Sequence, residues 1–473
     1  MLTDFGKSQI MITFAKQKFN NAKMKKILIG AMTLMLTASV TAQAKTWTLQ
    51  ECIEYAMQHN ITLQRAKLQQ QSAKEDVNQS KAALLPSLNA STSHNLGYRP
   101  WQSSGITTVT NGTVNTKVDK TSYNGSYGLN ASWTVWNGNR NRNQVKLNKL
   151  SEEQAELQIQ ETANSIQEKI AQLYVQILYL EEAVKVNEES LKTSKMNEDR
   201  GREMVEVGKM SKADLAQLTA QRSTDEYNIV SAQTQVRNYK LQLKQLLEIT
   251  GEEEFDIATP AIIQTTDELA LEEVPSLASV YEQALATRPE IQSAEMAVKS
   301  SDVSIDIAKA GRMPTVSLQA SASASTNSLA NNGWGDQMKS NFNSGAGVSV
   351  SVPIFDQRQT RTNVNKARIQ RESNLLALQD QQKQLYQTIE NYWLDATNNQ
   401  QKFRAAKVTV ESEQQSYDLL QEKFNVGLTN IVELMTGKDR LLVAAQNCLQ
   451  SKYVTILNLQ MLKFYAGSAL SGK

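Results

Sequence analysis

Four short stretches of the chain alternate between apolar and small polar residues. Val316, Leu318, Ala320, Ala322 and Ala324 share one face, and Ser317, Gln319, Ser321, Ser323 and Ser325 the other. Val348, Val350, Val352 and Ile354 oppose Gly347, Ser349 and Ser351 in the same way. Earlier in the chain, Leu88, Ala90 and Thr92 oppose Asn89, Ser91 and Ser93, while Tyr127, Leu129, Ala131, Trp133 and Val135 oppose Ser126, Asn130, Ser132 and Thr134. Period two with one apolar face predicts four strands, at about 86–96, 123–136, 314–325 and 345–354. After each strand pair the period changes. Residues 139–205 and 358–424 contain no proline, and Ile159, Ala163, Ile166, Ile170, Leu173, Ile177, Leu180 and Val184 step by four and three, the rhythm of a coiled-coil seam. The second stretch keeps that rhythm more loosely through Leu378, Leu385, Ile389, Tyr392 and Ala396, with Gln382 interrupting. Each stretch, about 67 residues, makes a rod of roughly 100 Å. A returning helix follows from about 212 to 248, with the stripe Ile229, Ala232, Val236, Tyr239, Leu243 and Leu246. Ser211 with Asp214, and Asn430 with Glu433, read as capping boxes at the two turns.

The chain repeats itself. At an offset of 228, residues 55–88 fall on 283–316 and pair Ala56 with Ala284, Lys81 with Lys309 and Pro86 with Pro314. At an offset of 219, residues 133–247 fall on 352–466 and pair Trp136 with Phe355, Tyr174 with Trp393 and Val207-Gly208 with Val426-Gly427. The offsets differ by nine because the segment between Leu88 and Trp133 is that much longer than its counterpart, as befits a surface loop. The expected divisions are an extension and leader over 1–44, a first repeat over 45–248, an acidic linker over 249–275 with Glu252, Glu253, Glu254, Glu272, Glu273, Pro260 and Pro275, and a second repeat over 276–468.

Composition narrows the chemistry. Seven Pro and 20 Gly in 473 residues favour long helix over a many-looped enzyme. The two cysteines, Cys52 and Cys448, allow one bridge at most and match no zinc spacing, so they read as unpaired thiols. His59 and His94 stand alone, which excludes a His-rich metal site. Basic residues from Lys23 to Lys26, an apolar run from Ile27 to Val40 and Ala42-Gln43-Ala44 read as a secretory signal starting at Met24; the run is too short for a membrane-spanning anchor. Removing that leader takes six Lys and Asp4 and moves the formal charge from +2 to −3, which makes nucleic acid a poor partner. No other run is long and apolar enough for a spanning helix, so membrane crossing must use strands, and four strands cannot close a barrel. No phosphate-binding loop, no Gly-x-Ser-x-Gly elbow and no convergent nucleophile and base are present. Gly437-Lys438 lies inside the helical pattern and reads as incidental. The reading is a non-enzyme with no cofactor and no metal.

In combination, the repeat, the helix ends Leu85-Pro86-Ser87-Leu88 and Met313-Pro314-Thr315-Val316, the strand exits Trp136-Asn137-Gly138-Asn139-Arg140 and Val352-Pro353-Ile354-Phe355-Asp356, and the tips Val207-Gly208 and Val426-Gly427-Leu428 resemble the TolC family of bacterial outer-membrane efflux proteins. The resemblance spans nearly the whole mature chain. It implies a mainly α fold with membrane β: a homotrimer whose chains share a twelve-stranded barrel in outer-membrane lipid, continuous with a coiled-coil α-barrel through the periplasm. It further implies a passive exit duct of a tripartite efflux or type I secretion system, working with a periplasmic adaptor (membrane fusion) protein and an inner-membrane pump of RND or ABC type. Adaptor docking falls on Val207, Gly208, Lys209, Met210, Val426, Gly427, Leu428 and Thr429. The family's usual Leu after Val-Gly is met by Leu428, whereas Lys209 departs from it. Asp214 and Glu433 fall where acidic side chains ring the periplasmic aperture, and also where helix caps are expected. Trp133, Trp136 and Phe355 are candidate membrane-interface aromatics. The alternative is a periplasmic coiled-coil adaptor or structural spacer, which would share the leader and heptads but not the amphipathic strands.

Overall fold

The computed structural model describes residues 46–101, 105–109, 112–116, 119–251, 255–258, 266–330 and 332–470. The leader over 1–44 and the linker residues Glu252, Glu253, Glu254 and Pro260 lie outside the described residues. In chain order the elements are β1 (Thr46–Trp47), α1 (Leu49–His59), α2 (Ile61–Ala82), β2 (Ser87–Tyr98), β3 (Gly105–Val109), β4 (Gly112–Thr116), β5 (Thr121–Trp136), α3 (Arg140–Glu206) and α4 (Lys212–Leu246). Then come β6 (Asp256–Ile257), α5 (Thr266–Ala270), α6 (Leu277–Thr287), α7 (Pro289–Lys309), β7 (Thr315–Asn327), α8 (Trp334–Ser340), β8 (Asn343–Ser351), α9 (Gln359–Asn425) and α10 (Ile431–Tyr465). The two copies agree residue for residue: α3 and α9 each have 67 residues, α4 and α10 each 35, all at the offset of 219.

Backbone strain repeats at the same offset. Left-handed φ values occur at Gly138 and Gln357, Asn139 and Arg358, Gly208 and Gly427, and Glu248 and Gly467. These are the points where a strand hands over to a long rod, where the rod turns back, and where the returning helix ends. Glycine takes such a φ freely, whereas Gln357, Arg358 and Glu248 hold it at a cost of about 1 kcal/mol each.

β2, β5, β7 and β8 form one antiparallel sheet in that order. Its register rows join like with like: Leu88, Ala131, Ala320 and Ala346 lie across one row, and Asn89, Asn130, Ser321 and Gly345 across the next. The sheet therefore has one apolar face and one face of Ser, Asn, Gln, Thr and Gly, and its two edges, β2 and β8, have no partner strand among the described residues. Two details differ from the alternating pattern. Register shifts between Thr134 and Trp136, so Val135 is a bulge and Trp136 pairs with Val316, on the same face as Trp133. β8 stops at Ser351 instead of running to 354, because its partner starts only at Thr315, after Pro314, and Val352, Ile354 and Phe355 leave the sheet exposed. Sequence alternation also gave no sign of the β3–β4 hairpin, of α8, or of the parallel pairing of β1 with β6 that ties the start of the first repeat to the linker.

The main core lies midway along the rods. Cys52, Ala56, Ile170, Ile177, Leu243, Ile291, Ile389, Met461 and Leu462 are buried together there, where α1, α3, α4, α7, α9 and α10 converge. Neither Cys52 nor Cys448 forms a disulfide. α3 with α4, and α9 with α10, form two hairpins with apolar interiors, and α7 packs against both α3 and α9, while α2 packs chiefly against α3. Each hairpin has one tight crossing. A Cβ on Gly201 of α3 would meet Leu218 of α4 at 2.4 Å, and a Cβ on Gly437 of α10 would meet Leu420 of α9 at 2.5 Å. Gly201 is equivalent to Leu420 and Leu218 to Gly437, so the small and large partners are exchanged between the copies. Gly201→Leu alone is expected to lower stability by about 1–3 kcal/mol through overpacking, and adding Leu218→Gly should recover most of the loss by recreating the other hairpin's arrangement; thermal unfolding of the purified protein checks both.

Candidate docking tips and membrane belt

Both rods end in the same turn. The Gly208 N–H donates to the Val205 carbonyl (3.0 Å) and the Lys209 N–H to the Met204 carbonyl (2.7 Å); Gly427 and Leu428 do the same to Phe424 (3.0 Å) and Lys423 (2.8 Å). This reversal needs a left-handed residue after the last helical one, which is why glycine stands there in both copies, with φ of 73° and 77°. The turn leaves Val207, Val426 and Leu428 68%, 70% and 78% exposed. Nothing lies within 4 Å of a Cβ placed on either glycine. Gly208, Lys209 and Gly427 are also exposed, and Thr429 is half-buried. Met210 instead packs against a second small core of Met204, Leu218, Tyr417, Phe424, Ile431 and Leu434, which joins the two tips.

Asp214 and Glu433 occupy equivalent positions one turn into the returning helices, and both act in caps. Ser211 Oγ accepts from the Asp214 N–H (3.1 Å) and donates to Asp214 Oδ2 (2.8 Å). Asn430 Oδ1 accepts from the Glu433 N–H (2.9 Å), and the Thr429 hydroxyl donates to the Glu433 carboxylate. The reciprocal arm of a capping box is absent from both: each carboxylate takes a side-chain hydroxyl rather than the cap's backbone N–H. In the described residues that complete box belongs to Thr48 and Glu51.

Above the tips the seam between the two hairpins is polar. Lys438 of α10, 5% exposed, pairs with Asp225 of α4, 2% exposed, and the Ser194 hydroxyl of α3 donates to the same carboxylate. Asn197 donates to the Tyr417 hydroxyl (3.2 Å), Gln446 to Asn187 (3.4 Å) and Lys452 to Glu182 (3.2 Å). Beside them Glu198 takes Arg222 Nε at 2.6 Å and the Thr219 hydroxyl at 3.0 Å. Burial pushes the Asp439 carboxyl above its ordinary range, Lys438 working against that and Asp225 with it. Burial likewise raises the Tyr417 phenol.

At the far end of the molecule Trp133 and Trp136 share the apolar face of the sheet, and Trp133 Nε1 donates to the Leu84 carbonyl (2.8 Å), fixing the helix-to-strand junction. Phe355 does not join them: it stands in the loop after β8, 84% exposed. Among the described residues no helix is long and apolar enough to cross a membrane, and no group of three or more His, Cys, Asp or Glu could hold a metal.

The chain matches the family of outer membrane efflux proteins over residues 52–248 and 280–468, one span for each repeat. It belongs to that family. Relatives include the outer membrane efflux protein BepC of Brucella suis, 22% identical over 439 residues covering 92% of this chain and 89% of that one. Another is the toxin and drug export protein A of Aggregatibacter actinomycetemcomitans, 22% identical over 410 residues, 86% and 83% of the two chains. The fold is that of the solved channel CusC (TM-score 0.75, 17% identity, 89% of this chain and 92% of that one) and of the Campylobacter jejuni outer membrane channel CmeC (TM-score 0.71, 17% identity, 90% and 87%). The family member is thus a transport protein of the outer membrane, an outer membrane factor of efflux or secretion systems, and not an enzyme. The adaptor-or-spacer alternative is set aside.

Lys438 has a structural role in the seam. It sits at a seam position of α10, in the series Ile431, Leu434, Lys438, Leu441, and Asp225 sits seven residues from both Leu218 and Ala232 on α4. Opposite charges on two otherwise apolar stripes were the signal that marks this pair. Lys438→Met should cost about 3–5 kcal/mol by stranding a buried carboxylate, and Lys438→Met with Asp225→Leu should regain most of it; thermal unfolding in detergent separates the two outcomes.

Proposed function

We propose that three copies of this chain form one passive conduit, in which the twelve strands of three four-stranded sheets close a barrel in the outer membrane and the paired rods continue as a tunnel into the periplasm. The observation that carries this reading is the sheet with two unpaired edges and an exposed apolar face. Each unmatched backbone group in hydrocarbon would cost several kcal/mol, and pairing β8 of one copy with β2 of the next removes both edges. Two copies would give eight strands and an interior filled by side chains, whereas three leave a bore. The helices support the same arrangement. α7 packs on two long rods while its counterpart α2 has mainly one, so α2 lacks a partner equivalent to α9. Ile61 and Leu68 on α2, Tyr227 and Val230 on α4, and Ile369, Leu376 and Leu419 on α9 are exposed in the single chain, as surfaces awaiting a neighbour would be.

The segment over 1–44 is then an upstream extension and export signal, and 249–275 the linker between the repeats. The exposed tip residues Val207, Gly208, Lys209, Val426, Gly427 and Leu428, with Thr429 beside them, dock a periplasmic adaptor, with Met210 supporting them from beneath. The adaptor links the conduit to an inner-membrane pump of RND or ABC type, where the driving energy enters. Asp214 and Glu433 ring the periplasmic aperture while capping their helices. Trp133 and Trp136 sit at the periplasmic boundary of the lipid.

Light scattering of the detergent-solubilised protein should return the mass of three chains, and a monomer without conductance in a planar bilayer would overturn the conduit. Gly427→Asp places a charge on the tip with a residue that adopts a left-handed φ at a cost of about 1 kcal/mol; export should be lost while trimer mass is unchanged and thermal stability falls by no more than that, and unimpaired export would remove the tip as the docking surface.

A further inference from the structure

The connection between β7 and β8 folds to one particular side of the sheet. Ala324 and Thr326 at the outer end of β7 are buried, yet Ser323, Ser325 and Asn327, which alternate with them on the polar face, remain exposed. What covers the apolar face there is α8. Trp334 meets Tyr127 edge to face, with ring centroids 6.1 Å apart, and its Nε1 donates to the Tyr127 hydroxyl at 3.4 Å. The buried Gln337 clamps the end of β7: its Oε1 accepts from the Asn327 N–H (2.7 Å) and its Nε2 donates to the carbonyls of Asn327 (3.0 Å) and Asn332 (2.8 Å). Asn341 Nδ2 adds a bond to the Ser325 carbonyl (2.7 Å). Tyr127 has room to lean over the strand because residue 125 is glycine; a Cβ there would meet the Tyr127 hydroxyl at 3.2 Å, its ring at 3.4 Å and Thr326 Oγ1 at 2.7 Å. His94 completes the group, edge-on to Tyr127 at 5.4 Å and bonded through Nδ1 to the Tyr123 hydroxyl at 2.6 Å.

We infer that α8 is an interfacial collar that lies against the outside of the barrel in the headgroup–acyl boundary of the outer leaflet, with Trp334 as its anchor, and does not fold over the mouth. The inference rests on the membrane reading of the sheet. Depth agrees with it. Ten residues separate Tyr123 from Trp133 along β5, about 33 Å of strand, and the tilt usual in such barrels reduces this to roughly 25 Å, the height of an apolar band. Trp133 and the Tyr123–His94–Tyr127–Trp334 group therefore mark its two borders. Trp334, Phe342 and Leu329 are exposed around the collar, at the level where amphipathic rings are favoured. The occupant of this apolar, ring-rich surface is lipid, because it continues the lipid-facing surface of β5 and β7 without a break.

Quenching in proteoliposomes tests the placement, using phosphatidylcholine brominated high on its acyl chains and, separately, aqueous iodide present on both sides. Trp334→Phe should reduce the bromolipid-quenched emission by roughly a third, as should Trp133→Phe, since three tryptophans border the lipid. If Trp133→Phe reduces it but Trp334→Phe reduces only the iodide-quenched emission, α8 stands in water and the inference fails. A Trp334→Phe that changes neither means that protein covers the ring, which also overturns it. If neither substitution alters lipid quenching, it is the membrane placement of the sheet that fails. A second readout leaves Trp334 in place. A nitroxide on Gly335→Cys, where a Cβ meets nothing within 4 Å, in a Cys52→Ala and Cys448→Ser background should relax faster with oxygen than with a water-soluble nickel chelate, and the reverse order counts against the collar.

Discussion

A β-sheet with free edges cannot stand in hydrocarbon, and this chain supplies only four strands of one. Much else follows from that deficit. Under the proposed placement the apolar face is exposed because lipid is its solvent, which accounts for Leu88, Leu96, Val348 and Val350 at the surface where a soluble protein would bury them. The strands must feed directly into helices long enough to leave the membrane, and the handover is built twice from the same parts: a proline before the strand that follows a helix, and a left-handed pair, Gly138-Asn139 or Gln357-Arg358, before the rod that follows a strand. Under the proposed trimer, each chain is an unfinished wall with its unfinished surfaces placed where an identical wall can meet them.

The helical half divides its interactions by kind. Inside each hairpin the tightest packing is apolar, with Gly201 under Leu218 and Gly437 under Leu420, and in the first hairpin Glu198 with Arg222 and Ser194 with Asp225 add polar contacts. Between the hairpins, above the small apolar core that joins the tips, runs a ladder of ion pairs and hydrogen bonds through Lys438, Asp225, Ser194, Asn187, Gln446, Lys452 and Glu182. The two seams differ in what their separation costs. Parting a hairpin exposes apolar area at about 25 cal/mol per Å² with nothing to replace the lost contact. Parting the polar seam transfers groups to water that can satisfy them, at the expense of well-formed pairs in a dry setting. Along the polar stretch of the seam, a hairpin shifting against its neighbour is therefore an easier deformation than opening a hairpin, the kind of discrete shift by which packed helices switch.

Much of this architecture could be read from the residues. The two offsets alone give the lengths of α3 and α9 and the equivalence of their tips, because periodicity over 67 residues is a strong signal. Three features were hidden for separate physical reasons. The bulge at Val135 leaves apolar alternation intact on the page, since a register shift shows only against the partner strand. The end of β8 was set not by its own residues, which keep alternating to Ile354, but by where β7 begins. The buried pair of Lys438 and Asp225 lies 213 residues apart; each interrupts an apolar stripe, but which charge it meets shows only when the helices are brought together. At the tips the sequence named the exposed residues and the caps, but not that Met210 turns inward or that the caps use hydroxyls in place of backbone donors.

The alternation along the strands has one further consequence. On β2, β5, β7 and β8 the polar face consists only of Ser, Thr, Asn, Gln and Gly, and the residues able to gain or lose a proton, His94, Tyr98, Tyr123 and Tyr127, all stand on the opposite face. The hydrophilic lining that these strands offer is therefore an acid-insensitive surface, with the same dipoles and no net charge whether the surroundings are acidic or alkaline.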